Sequence, residues 1–221
     1  IILAYGRLLM MLERYHPQTI IYDVTPDFDY LKGKDNHQYL YRLKQHYNRP
    51  GIDSIFWDID PKEKYKMISG MYRHNSSFLQ NLIVYLLHIS TETGIRGFIP
   101  LNNEMDPMKT RGKNFIADDS RKGYTYDPLK LSYINKFTHK AKDINFVFVI
   151  SPMWYKQDSL VFEPIKKICK ERQIQLINFS NNPKYIFKNK YFADGTHLNA
   201  RGADEFTKDL IKELRKRKLI R

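Results

Sequence analysis

Absences set the first limits on this chain. No stretch of about 18 or more apolar residues occurs, so no segment reads as a membrane-spanning helix. No signal peptide is visible. The only cysteine, Cys169, excludes a disulfide within the chain and leaves the redox compartment open. Flanked by Ile165 and Ile168, it reads as a buried, inert thiol. The 10 glycines never gather into a phosphate-cradling loop, which argues against a nucleotide enzyme. Histidines 16, 37, 46, 74, 88, 139 and 197 form no His-x-x-x-His pair or Cys–His cluster, so neither metal nor cofactor is expected. Acidic residues are few, 24 against 37 Lys and Arg, which leaves a net charge of +13. The densest basic run, Arg215 to Lys218, ends a helical pattern and reads as a solvated helix terminus. Without a recognisable nucleic-acid module, nucleic acid is not an expected partner, whereas an anionic surface or acidic polymer is compatible with the charge.

What is present fits one α/β domain. The length suits a single full-sized core, and 42% hydrophobic residues can fill it. Residues 3–14 predict a helix ended by His16-Pro17, followed by a β-branched apolar run, Thr19 to Val24, expected as a buried parallel strand. Residues 30–127 read as an insertion rich in Tyr, Lys and Asn. Within it, Leu40, Leu43 and Tyr47 suggest a short helix. Asp60-Pro61-Lys62-Glu63 reads as a helix start with Pro at the first helical position. Phe78 to Leu87 predicts an apolar helix capped by Asn75 or Ser76. Gly94 to Asp127 reads as a long loop or hairpin over the active-site face. The α/β rhythm then returns: a helix over Leu129–Ala141, a strand over Asn145–Ile150, a helix over Ser159–Arg172 and a strand over Ile174–Phe179. Adjacent parallel pairing of the three strands is expected.

The most informative segment follows the last strand: Asp194-Gly195-Thr196-His197-Leu198-Asn199-Ala200-Arg201-Gly202. Asn199 can cap a helix in which Ala203, Phe206, Leu210 and Leu214 recur at helical spacing. Asp-x-x-His alone is a weak pattern. Its place on a short loop between final strand and final helix gives it weight. The chemistry is coherent, because a neutral imidazole is a base near neutral pH and a carboxylate can fix its tautomer.

This block resembles the SGNH/GDSL hydrolase superfamily, with the likeness covering about residues 15–28 and 128–215. The resemblance implies a three-layer α/β/α flavodoxin-like fold. It also implies an esterase or acylhydrolase acting on an O-acyl ester, either lipid or acetylated carbohydrate, with Asp194 orienting His197 and His197 deprotonating a serine. That family's serine lies on a turn after its first strand. Here the chain opens with Ile1 to Gly6, so the expectation is a single SGNH-like domain lacking that strand and turn, with the nucleophile upstream of Ile1. The other reading is a non-catalytic binding or cell-envelope protein. Localisation stays open, with an extracytoplasmic setting, periplasmic or cell envelope, favoured.

Four further residues are candidates for substrate binding. Asp27 follows the first strand, where open α/β sheets collect ligands, or is a turn residue after Pro26. Arg73, in Tyr72 to Ser76, is an anion or carbonyl clamp beside a helix start, or a solvated side chain. Ser151 ends a strand, but Pro152 removes the next backbone N–H that a nucleophile elbow uses, so a turn start is favoured. Trp154, with Met153, either walls a pocket or fills the interior.

Overall fold

A computed structural model describes residues 1–33, 36–74, 86, 98–106 and 123–220. The chain is mixed α/β and divides into two compact units. Residues 18–26, 93–124 and 142–221 form the sheet unit, and residues 1–17, 27–92 and 125–141 form a helical unit. The insertion expected over 30–127 is therefore shared between the two. The helix expected at Phe78 to Leu87 lies outside the described residues.

The sheet unit is built on strands β1 (Thr19–Asp23), β2 (Asn145–Ile150) and β3 (Gln175–Asn178), in the order β1-β2-β3. Both pairings are parallel, with Ile21 opposite Val147 and Val149 opposite Ile177. The predicted adjacency is what is found. The central strand explains itself. Phe146 to Ile150 are all buried, so every side chain on both faces leaves water, which is why its sequence is continuously apolar. Burying each such side chain is worth about 1.5–3 kcal/mol. β1 departs from expectation: its sequence is equally β-branched, yet Ile21 is 46% exposed. The physical reason is position, since among the described residues β1 pairs on one side only.

One sheet face carries Val147, Val149 and Ile177 into a core with Trp154, Phe179, Tyr185, Tyr191 and Phe192. Helix α5 (Ala200–Lys216) covers this core with Phe206, Leu210 and Leu214, the residues whose spacing marked it. Helix α4 (Glu163–Arg172) buries Ile165, Ile168 and Cys169. It starts later than expected, because Ser159–Phe162 forms a 3₁₀ turn ahead of Pro164. Burial pushes the Cys169 thiol up to about 12.

In the helical unit, α1 (Ile2–Leu12), α2 (Ile52–Ile59) and α3 (Pro128–Lys140) are the longest described helices. Asp127 starts α3, its Oδ1 accepting from the N–H groups of Leu129 (2.9 Å) and Lys130 (3.2 Å). Leu40–Leu43 is helical between 3₁₀ turns. Pro61 precedes its helix, which begins at Glu63, because the Asp60 carboxylate first bonds the Lys62 N–H at 2.9 Å.

Gly202, inside the first turn of α5, has no room for a side chain: a Cβ there would stand 1.9 Å from the Tyr191 carbonyl oxygen. That carbonyl belongs to the backbone leading into the Asp194 loop and cannot yield cheaply. Gly202→Ala is expected to destabilise the sheet unit by about 3 kcal/mol, the upper end for overpacking, read as a lowered midpoint in urea unfolding.

Candidate functional site

The site loop is closed before its side chains are considered. Phe192 and Leu198 form an antiparallel bridge, and the Ala193 N–H donates to the His197 carbonyl at 2.8 Å. Residues 193–197 are thereby confined to a tight turn. Asn199, 6% exposed, anchors the far end. Its Oδ1 accepts from the Gly202 N–H at 2.9 Å as the cap of α5, and its Nδ2 donates to the carbonyls of Lys190 (3.1 Å) and Phe192 (3.3 Å).

Within the turn, Asp194 Oδ1 accepts from the N–H groups of Thr196 and His197, both at 2.8 Å, and from Thr196 Oγ1 at 3.0 Å. The same carboxylate meets His197 Nδ1, at 2.8 Å from Oδ2 and 3.0 Å from Oδ1. The Asx turn and the Asp–His pair are thus one structure, with the turn aiming the carboxylate and the carboxylate holding the ring. Partial burial works against the Asp194 charge. The hydrogen bonds from Thr196 and His197 outweigh it and hold the carboxyl down at about 2. An ionised carboxylate only accepts, so Nδ1 donates to it, and the neutral form of the ring then carries its lone pair on Nε2. Among the described residues, Nε2 has no hydrogen-bond partner. Both side chains are open to solvent, Asp194 at 57% and His197 at 66%.

Neighbouring segments frame this loop. The Trp154 N–H donates to the Gly195 carbonyl at 3.1 Å, joining the segment after β2 to the Asp194 turn. One described part of the long loop, residues 98–106, also runs along it. The Ala200 N–H donates to Leu101 O, the Met105 N–H to Phe192 O (both 2.7 Å), and Asn103 Nδ2 to Ala193 O at 3.1 Å.

The other candidates sort differently. Ser151 stands at the end of β2, but both its N–H (3.1 Å) and its hydroxyl (2.7 Å) donate to the Asp23 carboxylate at the end of β1. It ties two strand ends together. Trp154 sits in the core of the sheet unit: the residue is 5% exposed, and Nε1 donates to Asn189 Oδ1 at 2.7 Å. Asp27 and Arg73 both belong to the helical unit. Asp27 is exposed, and its carbonyl accepts from the buried Lys130 ammonium at 2.8 Å. Asn103 and Asp23 are the residues that pattern reading missed. Asp23 had a findable signal, as a carboxylate at the carboxyl end of a strand; Asn103 had none.

The cluster best suited to a metal lies elsewhere, in the helical unit. His37, Asp60 and Glu63 offer ligand atoms within 4.8 Å of one another. The Lys66 ammonium, 2.7 Å from Glu63 and 3.3 Å from Asp60, already supplies a cation, and the Tyr72 hydroxyl lies 3.0 Å from both Glu63 oxygens. A metal ion would have to displace both.

The depressed Asp194 value sets a pH window. A carboxyl at about 2 in the folded chain against an ordinary 3.8 adds stability that is fully present above 3.8 and lost as pH falls through about 2. Asp194→Asn should therefore be less stable than the parent at pH 5, with the difference shrinking as pH falls toward 2, measured by denaturant unfolding across that range. The ¹⁵N NMR spectrum of the parent should show His197 as the Nδ1–H tautomer at pH 8, with the Nε2–H form gaining population in Asp194→Asn.

Comparison with family models, curated proteins and solved structures finds no match for this chain.

Proposed function

We propose that the sheet unit is the acid–base half of an SGNH-type acyl hydrolase, acting on an O-acyl ester of a lipid or an acetylated carbohydrate, within a flavodoxin-like α/β/α arrangement. One observation carries the reading: Asp194 is locked by its own turn with a carboxylate oxygen 2.8 Å from His197 Nδ1, leaving Nε2 as the free base. The parallel strands and the Asn199-capped helix around that loop agree with the resemblance that the sequence carries.

The chemistry follows from the tautomer. Nε2 takes the proton of a serine hydroxyl as its oxygen attacks the ester carbonyl, and Asp194 stabilises the imidazolium that forms. The imidazolium then gives that proton to the departing alkoxide, leaving an acyl-serine. Water, deprotonated by the same nitrogen, releases the acid and regenerates the serine. Among the described residues no serine hydroxyl is hydrogen-bonded to His197, and Ser151 is committed to Asp23. The reading therefore places the nucleophile on a segment other than those described.

Exposure of the pair favours a second reading, a non-catalytic SGNH-like binding or cell-envelope protein, in which Asp194 and His197 only shape the start of α5. The two separate experimentally. The hydrolase reading expects turnover of p-nitrophenyl acetate or acetylated sugars by the full-length protein and labelling of a serine by a fluorophosphonate. His197→Ala should lower kcat/KM by about 10²–10⁴-fold, the usual range for losing a general base, without unfolding the chain. No turnover and no labelling in the folded protein would leave the binding reading.

A further inference from the structure

The helical unit holds a cavity of about 340 Å³, large enough for a small polar ligand. One wall comes from α1, where Leu3, Arg7 and Met10 share a face at helical spacing. Opposite contributions come from residues 41–46 and from Arg73. The lining contains Arg7, Arg42, Lys44 and Arg73 together with His46, and no Asp or Glu. None of the four cations forms an ion pair among the described residues. Lys44 instead lies over the Tyr72 ring, 3.9 Å from its centroid. Burial, followed by the nearby Arg49 and Arg14, lowers His46 below its ordinary value, so at neutral pH it adds a hydrogen-bonding ring without further charge.

Like charges converging on one cavity repel one another, and a fold gains nothing from that arrangement by itself. The second sign is an unmet donor. Arg73 Nε is buried and has no acceptor among the described residues, whereas buried polar atoms are almost always bonded. Nε and one terminal nitrogen form the edge of guanidinium that receives oxyanions side-on through two parallel hydrogen bonds. A carboxylate would satisfy one such edge. Four cations approaching from three segments call for an acceptor with more oxygens and more than one negative charge.

The geometry points to this cavity as a binding site for a phosphate group, held by Arg73 and Arg7 with Arg42 and Lys44 supplying further charge. The site lies within the helical unit and stands independently of the hydrolase reading. It also gives Arg73 a place distinct from the ester site for which its sequence context suggested it.

The experiment measures binding to the intact protein by titration calorimetry with inorganic phosphate and with glycerol 1-phosphate, and by co-sedimentation with phosphatidylglycerol vesicles against phosphatidylcholine vesicles. The expected result is binding in at least one arm that weakens about tenfold or more in Arg73→Gln and in Arg7→Gln, the scale of one charge-assisted contact. Binding in the soluble arm identifies a free phosphate compound, and binding only to phosphatidylglycerol identifies a lipid headgroup. Lys140→Gln, which removes an exposed cation of the same unit outside the lining, should leave affinity within about twofold. His197→Ala should also leave it unchanged, so that loss of this site and loss of the hydrolase reading are separately visible. Arg73→Lys keeps the charge without the two-pronged edge; it should bind more weakly than the parent, and it serves if Arg73→Gln fails to fold. Absence of binding in every arm, or a Lys140→Gln variant as impaired as Arg73→Gln, would overturn the assignment.

Discussion

The side chain of Asn199, at the exit of the site loop, ties the backbone that approaches the loop at Lys190 and Phe192 to the first turn of α5. At 6% exposure its amide is shielded from competing water, and each of its polar atoms is used. The Asn199 N–H adds a bond to the Tyr191 carbonyl at 3.0 Å, the same carbonyl that excludes a side chain at Gly202. Helix start and loop therefore sit at one fixed separation. The Asp194 turn inherits its position from that constraint.

Given a fixed loop, the acid–base pair needs little else to form. Four hydrogen-bond donors surround the Asp194 carboxylate: two backbone N–H groups, the Thr196 hydroxyl and Nδ1 of His197. Such saturation holds the imidazole in one orientation within the folded loop, with no ligand needed to set it. What the pair lacks in this state is a dry setting. Charges open to water interact weakly, so the attraction between Asp194 and the ring it holds is screened while both side chains stay exposed. The run from Leu101 to Met105 is hydrogen-bonded along the backbone that flanks the loop, at Phe192, Ala193 and Ala200.

Much of this arrangement was legible in residue order, and the reasons differ by element. β2 and α5 were readable because burial on two faces and on one face leaves distinct apolar periods. The Asp194 turn was readable because Asx turns and helix caps are local, written within five or six neighbouring residues. β1 misled: its β-branched sequence resembles that of a central strand, yet among the described residues it pairs with β2 alone and leaves Ile21 open. Trp154 was ambiguous between wall and core, because an indole serves either purpose until the partner of its N–H is known. The link between Asn103 and Ala193 spans 90 residues, and no local pattern encodes such a distance. Arg73 was flagged as an anion clamp, but which surface it served depended on how the chain divides into units.

The solitary thiol of Cys169 has a practical value as a clock. Sealed inside α4 and held up at about 12, it is almost entirely protonated at neutral pH and shielded from reagents while the helix stays packed. Alkylation can then proceed only in molecules where α4 has opened, and with no second cysteine every added mass reports that one event. The rate at which a maleimide mass appears on the intact chain thus reports how far α4 is populated in its opened form when reclosing is fast, and its opening rate when alkylation is faster, with no engineered label.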